Sequence, residues 1–174
     1  MFSDPQKNIA ELGIQNGMKV VDLGAGSGFY TIEVAKKVGP SGRVYAVDVQ
    51  KDLLDKIKNG ATVAGLHNVE VVWGNIEKLG GTKLRETIAD RIIISNTLFQ
   101  IAPGDRENLA LEIKRLLKSG GKLMVIDWNE DSPMRPIQPV NQLLVEGIFE
   151  KNGFIKEKSF DAGDHHYGII FRKS

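Results

Sequence analysis

The segment at residues 19–35 constrains the fold of this chain more than any other. It reads KVVDLGAGSGFYTIEVA: an apolar run, three glycines at every second position, and then an amphipathic stretch. Glycine lets the backbone turn sharply and lie directly against a ligand, and a helix that starts there presents free N–H groups. The segment therefore predicts a strand, a nucleotide-cofactor loop and a helix, with a purely structural glycine turn as the alternative.

Two kinds of apolar pattern alternate along the rest of the chain. Short β-branched runs predict strands buried on both faces, and longer stretches with a spacing near 3.6 predict helices. The predicted strands span residues 19–23, 43–48, 69–73, 91–95 and 122–127. The predicted helices span residues 29–38, 51–66, 105–118 and 140–152, with a short helix near Leu84. This alternation is typical of an α/β protein with a doubly wound parallel sheet and helices on both faces.

Local signals refine two of the helices. Asp105 is positioned to cap the helix predicted at 105–118, and the Gly120-Gly121 pair is expected to end it. The Asn59-Gly60 pair predicts a kink or break in the helix at 51–66, because glycine is unfavourable inside a helix.

Three further segments complete the expected single domain of residues 1–174. We expect residues 1–17 to form an N-terminal helical arm. Residues 129–140 follow a strand and hold three of the six prolines. We interpret them as a lid or substrate loop at the ligand-binding edge of the sheet, with a plain connector as the alternative. The runs at 154–159 and 165–172, joined by FDAGD, predict an antiparallel hairpin.

Composition excludes several classes of protein. The chain of 174 residues contains no cysteine, which rules out disulfides, thiolate zinc sites and thiol nucleophiles. The net charge is +1 at pH 7, so we expect no electrostatic attraction to nucleic acid. The sequence lacks an export leader and an apolar run of membrane-spanning length, so we expect a cytoplasmic protein without membrane segments.

Finer spacing within the glycine loop discriminates between cofactors. Dinucleotide sites favour G-x-G-x-x-G, whereas the pattern here is G-x-G-x-G, with Phe29 at the position of that third glycine. Asp22 precedes the first glycine, where a carboxylate repels a pyrophosphate but attracts an ammonium group. Asp48 lies 20 residues after Gly28, where it can accept hydrogen bonds from ribose hydroxyls or cap the next helix. The pattern favours S-adenosylmethionine over NAD.

Five segments together resemble the successive motifs of class I S-adenosylmethionine-dependent methyltransferases. They are VVDLGAGSGFYTIEVA, VYAVDVQ, VEVVWGNIEKL, ADRIIISNTLFQI and LKSGGKLMVIDWNED. The resemblance covers residues 2–172 and is closest to the quinone-biosynthesis-like group of small-molecule methyltransferases. It implies a Rossmann-like sheet of seven strands in the order 3-2-1-4-5-7-6, with the last strand antiparallel, and S-adenosylmethionine as the cofactor.

The resemblance also implies which residues bind the cofactor. The set comprises Asp22, Gly24, Ala25, Gly26, Ser27, Gly28, Asp48, Val49, Gly74, Asn75, Ile76, Asn96 and Leu98. Asp22 and the glycines would surround the methionine moiety, and Asp48 would bind the ribose. Many relatives have Asp at the position of Asn75, so an amide oxygen here replaces the carboxylate expected to accept from the adenine amino group.

No residue is assigned as a catalytic base. Methyl transfer from a sulfonium requires an aligned nucleophile, and a base helps only where the acceptor atom keeps a proton. The candidates for a base or an acceptor contact are His166, His165, Tyr30 and Asp127, each with packing or surface exposure as the alternative. Only one of the adjacent histidines can face a site, and no metal is expected. The candidates for an apolar pocket wall are Phe2, Phe29, Phe99 and Met134.

These observations favour one function and leave three alternatives. The leading hypothesis is an enzyme that transfers a methyl group from S-adenosylmethionine to oxygen, nitrogen or carbon of a small-molecule acceptor. The alternatives are an RNA methyltransferase, for which no basic groove is evident, a NAD-dependent reductase, which Phe29 and Asp22 oppose, and a catalytically silent S-adenosylmethionine-binding module. The sequence assigns neither the acceptor and its pathway nor a monomeric or homodimeric state.

Overall fold

A seven-stranded sheet forms the centre of the computed structural model, which describes residues 3–174. The strands are β1 (Lys19–Leu23), β2 (Arg43–Asp48), β3 (Val69–Trp73), β4 (Ala89–Ser95), β5 (Leu117–Trp128), β6 (Phe154–Gly163) and β7 (His166–Lys173). The strand order is β3-β2-β1-β4-β5-β7-β6. Strands β1 to β5 are parallel, and β7 is antiparallel to both β5 and β6. The predicted Rossmann-like topology is confirmed.

Helices cover both faces of this sheet, as predicted. They are α1 (Pro5–Glu11), α2 (Phe29–Val38), α3 (Lys51–Val63), α4 (Arg106–Leu116) and α5 (Gln142–Lys151), with 3-10 turns at Leu98–Gln100 and Pro103–Asp105. One apolar layer joins α1 and α2 to the sheet through residues such as Ile9, Leu12, Val34, Val20 and Ile93. The opposite layer joins α4 and α5 to it through residues such as Leu109, Ile113, Phe149, Val21 and Ile92. The burial of consecutive residues in β1 explains its lack of polar alternation.

The ends of α4 differ from their prediction. Asp105 occupies the N-cap position but makes no side-chain cap hydrogen bond, so the predicted cap interaction is wrong. The helix ends at Leu116, before the Gly120-Gly121 pair, which lies within β5. The strand starts early because Leu117 is fully buried and pairs with Ala89 of β4.

Three other boundaries also differ. Helix α3 runs unbroken through Gly60, an exposed position where a glycine costs little packing, and ends at Val63 rather than 66. No helix forms near Leu84, where the chain between β3 and β4 consists of turns. Strand β6 extends to Gly163, so most of FDAGD pairs with β7 and the hairpin turns at residues 164 and 165.

The part of the chain that the structure describes holds no helix with the length and apolar character needed to cross a membrane. Its histidines and carboxylates also form no group of three or more that could hold a metal ion. The predicted cofactor-binding residues lie instead at the carboxyl edge of the parallel strands, where open α/β sheets bind their ligands.

Candidate cofactor site

A cleft of about 620 Å³ opens at the carboxyl ends of β1, β2, β3 and β4. The residues of the predicted cofactor set that line it are Asp22, Gly24, Ala25, Gly26, Ser27, Gly28, Asp48, Val49, Gly74, Asn75, Ile76 and Asn96. Leu98, the remaining member, does not line the cleft, because its side chain is buried in the apolar core. The structure therefore brings together segments that lie up to about 70 residues apart, since parallel strands end at one edge.

The glycine loop shapes one wall of this cleft. Gly26 has φ +54°, and a Cβ built on it would have no neighbour closer than the Gly24 carbonyl oxygen at 3.9 Å. A side chain at Gly26 would therefore extend into open space in the cleft. Gly28, in contrast, has no room for a side chain, because a Cβ built on it would lie 2.6 Å from Ile57 Cγ1 of α3. One glycine keeps the cleft open, and the other allows α2 and α3 to pack.

Asp22 supplies a buried carboxylate at the end of β1. Its side chain is 3% exposed, and its Oδ2 accepts a hydrogen bond from Thr31 Oγ1 at 2.6 Å. Burial raises the pKa of Asp22 to about 6; the Thr31 hydrogen bond lowers it, and the charge of Asp48 raises it. A cationic ligand group would favour the ionised form of this carboxyl.

Asp48 joins the end of β2 to the glycine loop. Its Oδ2 accepts from the Gly26 N–H at 3.0 Å and its Oδ1 from the Gln50 N–H at 2.9 Å. These backbone donors fix the orientation of the carboxylate, and each oxygen keeps a lone pair for a ligand hydroxyl. Asp48 is not the N-cap of α3, because that position belongs to Gln50, whose side chain makes no cap hydrogen bond. The contact with the ribose stays a prediction.

Two asparagines occupy further positions on the cleft wall. Asn75 Oδ1 accepts from the Glu77 N–H at 2.8 Å, which leaves one lone pair on the oxygen for a ligand. Asn96 adopts φ +53°, and its Oδ1 is buried without a hydrogen-bond partner in the described chain. Buried polar atoms are rarely left unpaired. The Asn96 oxygen therefore fits a ligand that donates a hydrogen bond.

Several cleft residues were not predicted as site residues from the sequence. They are Ser3, Pro5, Gln50, Leu53, Glu77, Ser95, Thr97, Gln100 and Ile101. Ser95 and Thr97 could have been found from the rule that ligands bind at strand ends. Ser3 and Pro5 come from the N-terminal arm, which only the tertiary fold brings to the cleft.

Tyr30 is the one catalytic candidate that lines the cleft. Its hydroxyl accepts a hydrogen bond from Asn8 Nδ2 at 2.9 Å and lies 2.8 Å from Ser3 Oγ. Asn8 Nδ2 also donates to the Ala162 carbonyl oxygen at 3.0 Å, which ties α1 to β6. Burial raises the pKa of Tyr30, so its hydroxyl stays protonated at neutral pH.

The other three catalytic candidates lie outside the cleft. His166 is buried and packs against Trp128 with ring centroids 4.3 Å apart. His165 Nδ1 lies 3.0 Å from Ser132 Oγ in the segment at 129–140. Asp127 is fully buried in β5, and its Oδ1 accepts from the Trp128 N–H at 2.9 Å. These side chains contact the proline-rich segment or the core.

The predicted apolar wall is only partly present. Phe29 lines the cleft and is 71% exposed, whereas Phe99 packs against the core and Met134 lies elsewhere on the surface. Phe2 lies outside the described residues. The segment at 129–140 contributes no residue to the cleft lining.

Comparison with known proteins identifies the family of the chain. Residues 14–164 match the model of a family described as a methyltransferase domain. The ubiquinone/menaquinone biosynthesis C-methyltransferase of Cronobacter sakazakii is 30% identical over 159 residues, which cover 89% of this chain and 59% of that protein. An arsenite methyltransferase of Halobacterium salinarum is 30% identical over 120 residues, covering 67% of this chain and 29% of that protein.

A solved structure extends the likeness to the whole fold. A SAM-dependent methyltransferase from Aquifex aeolicus superposes with a TM-score of 0.88 at 29% identity, over 99% of this chain and 91% of that one. The chain belongs to the S-adenosylmethionine-dependent methyltransferase family. It spans 59% and 29% of the lengths of the two curated relatives named above.

Proposed function

We propose that this protein transfers a methyl group from S-adenosylmethionine to an oxygen, nitrogen or carbon atom of a small-molecule acceptor. The observation that carries the proposal is the order of polar groups along one cleft. Asp22, Asp48 and Asn75 follow one another across the ends of β1, β2 and β3. This order suits a ligand with an ammonium group, a ribose and an adenine in succession.

The residues present fit this cofactor. S-adenosylmethionine, when bound, supplies a methyl group on a positively charged sulfur that leaves as a neutral thioether. Asp48 would accept hydrogen bonds from the ribose hydroxyls, because two backbone N–H groups already orient its carboxylate. Asp22 would attract the ammonium group, and the unpaired Oδ1 of Asn96 would accept a ligand N–H. The open space at Gly26 would let the cofactor lie directly against the glycine loop.

The acceptor would bind between the N-terminal arm and the ends of β1 and β4. Ser3, Pro5 and Tyr30 line this end of the cleft and would exclude water from it. The raised pKa of Tyr30 suits a hydroxyl that orients the acceptor by a hydrogen bond and does not remove its proton. The names of two relatives, a quinone-biosynthesis C-methyltransferase and an arsenite methyltransferase, support a small acceptor but differ in its chemistry.

The test is a measurement of S-adenosylhomocysteine formation from S-adenosylmethionine with hydroquinones, phenols, amines and arsenite as acceptors. We expect formation with at least one acceptor and none with the Gly26→Val variant, whose added side chain occupies the cleft. Bulk transfer RNA serves as a parallel substrate. Methylation of the RNA and of no small molecule would contradict the proposed acceptor class, and absence of cofactor binding would contradict the function itself.

A further inference from the structure

A buried carboxylate on α4 lies behind the cofactor cleft and is not part of its lining. Glu112 is fully buried and accepts from Arg115 through both Nε at 2.9 Å and Nη2 at 2.7 Å. It also accepts from the Gly80 N–H at 2.6 Å and from Thr82 Oγ1 at 2.5 Å. A buried charge is costly unless it is fully hydrogen-bonded, and here both oxygens are used. Glu112 therefore holds residues 80–82 against α4.

Residues 80–82 in turn contact the adenine end of the cleft. The Gly81 carbonyl oxygen accepts from the Asn75 N–H at 2.9 Å. A Cβ on Gly74 would lie 2.9 Å from that same oxygen, and a Cβ on Gly81 would lie 2.1 Å from the Asn75 carbonyl oxygen. In the loop between β3 and β4, the backbone of residues 74 and 75 therefore packs directly against the backbone of residue 81. A shift of residues 80–82 would displace Asn75.

The conformation of this loop is also imposed from outside it. Lys83 and Thr87 adopt φ +62° and +52°, in the left-handed region that residues other than glycine rarely occupy. The Thr87 N–H donates to the Arg115 carbonyl oxygen at 2.9 Å. Arg115 therefore binds the far end of the loop with its backbone and binds Glu112 with its guanidinium. The last turn of α4 holds a strained loop at two points.

We propose that Glu112 is a positioning residue that sets the affinity and the base selectivity of the adenine end of the cleft. It acts through Gly80 and Thr82 on Asn75, whose amide oxygen has one lone pair left for the exocyclic amino group of adenine. The inference rests on the proposed function, since it assumes an adenine nucleoside in this cleft. A purely structural ion pair would stabilise the fold without affecting which base is bound.

Calorimetric titration with two ligands separates these roles. S-adenosylhomocysteine carries the amino group, whereas S-inosylhomocysteine carries a carbonyl oxygen in its place. We expect the wild-type protein to prefer the adenine ligand by about tenfold or more. Glu112→Gln replaces one acceptor oxygen by a donor amino group that faces other donors. We expect it to weaken binding of S-adenosylhomocysteine by about tenfold. The ratio of the affinities for the two ligands should then approach one.

A carboxylate on the same helix gives the matched control. Glu107 is about half exposed and lies 3.4 Å from Lys151, so Glu107→Gln should leave both affinities unchanged. If Glu112→Gln does not fold, Arg115→Lys removes the two-pronged contact and should shift the preference in the same direction. Thermal unfolding is measured in parallel for every variant.

The possible outcomes are distinct. A fall in the preference for adenine in Glu112→Gln or Arg115→Lys, with the control unchanged, supports the inference. A lower unfolding temperature with the preference retained within about twofold overturns it and leaves an ion pair that only stabilises the fold. Failure of the wild-type protein to bind S-adenosylhomocysteine overturns the proposed function, and this inference with it.

Discussion

Two buried aspartates near the carboxyl edge of the sheet have a similarly raised pKa but different surroundings. Asp22 lies in β1 and Asp127 in β5, and burial raises the pKa of each to about 6. The backbone N–H groups of Trp128, Phe99 and Leu98 lower the pKa of Asp127, but by less than burial raises it. Asp22 is bonded to Thr31 and lines the cleft, whereas Asp127 does not line it.

This comparison teaches that a perturbed pKa at a strand end does not by itself define a functional site. Both carboxylates satisfy the residue type and position that the sequence singles out, and both are largely removed from water. Access to the cleft and the hydrogen bond with Thr31 distinguish Asp22 from Asp127. Of these two aspartates, we therefore expect only Asp22 to affect ligand binding, and we expect both to affect the pH dependence of stability.

The largest effect should come from closing the cleft while both aspartates remain. Gly26→Val adds a side chain into the open space beside the loop, and its φ of +54° makes the added strain roughly 1–2 kcal/mol. We expect loss of S-adenosylmethionine binding by calorimetry with the protein still folded by circular dichroism. Unchanged affinity would show that the ligand does not use this cleft.

The next effect concerns stability against pH. Because each carboxyl pKa rises from 3.8 to about 6 on folding, ionisation favours the unfolded chain as the pH rises through that interval. Asparagine cannot ionise. Relative to wild type without ligand, Asp22→Asn and Asp127→Asn should each gain up to roughly 3 kcal/mol in unfolding free energy between pH 4 and pH 7. Urea unfolding at several pH values measures this, and a constant difference would contradict the raised pKa.

Cofactor affinity should separate the same two variants. We expect Asp22→Asn to weaken S-adenosylmethionine binding by about tenfold near pH 7, because it removes a charge opposite the ammonium group. Asp127→Asn should change it less than about twofold. Wild-type affinity should also fall below about pH 6, where the pKa of Asp22 predicts protonation, and Asp22→Asn should lack this dependence. Equal losses in both variants would remove the distinction drawn here.

A glycine outside the cleft gives the smallest effect. Gly60 lies exposed within α3, and a Cβ there would meet no atom within 4 Å. Gly60→Ala should therefore stabilise the protein by about 0.5–1 kcal/mol without altering cofactor affinity. Thermal unfolding and cofactor titration of Gly60→Ala and Gly26→Val together test whether the effect of replacing a glycine depends on its position in the fold. A loss of stability would contradict the open surroundings of Gly60.

Most of the cleft lining could be predicted from the sequence, because the signals for it are local. Asp22, Gly26 and Asp48 belong to one strand-turn-helix-strand unit, so their spacing along the chain fixes their spacing at the sheet edge. Ser3 and Glu112 could not be found in this way. The first reaches the cleft through the packing of the N-terminal arm, and the second acts through hydrogen bonds to residues 30 and 32 positions away.

Some positions predicted from the sequence differ from the structure, because tertiary packing overrides local propensity. The Gly120-Gly121 pair resembles a helix end, but pairing between Leu117 and Ala89 draws this segment into β5. Leu98 follows β4 as expected of a ligand contact, yet the 3-10 turn that begins there directs its side chain into the core. Neither outcome follows from propensity or spacing alone.

The most direct test of the central claim is a calorimetric titration of the wild-type protein with S-adenosylmethionine, S-adenosylhomocysteine and NADH in parallel. The cleft geometry predicts micromolar binding of the two sulfur ligands and none of NADH. Binding of NADH alone, or of none of the three, would contradict the assignment of this cleft to S-adenosylmethionine.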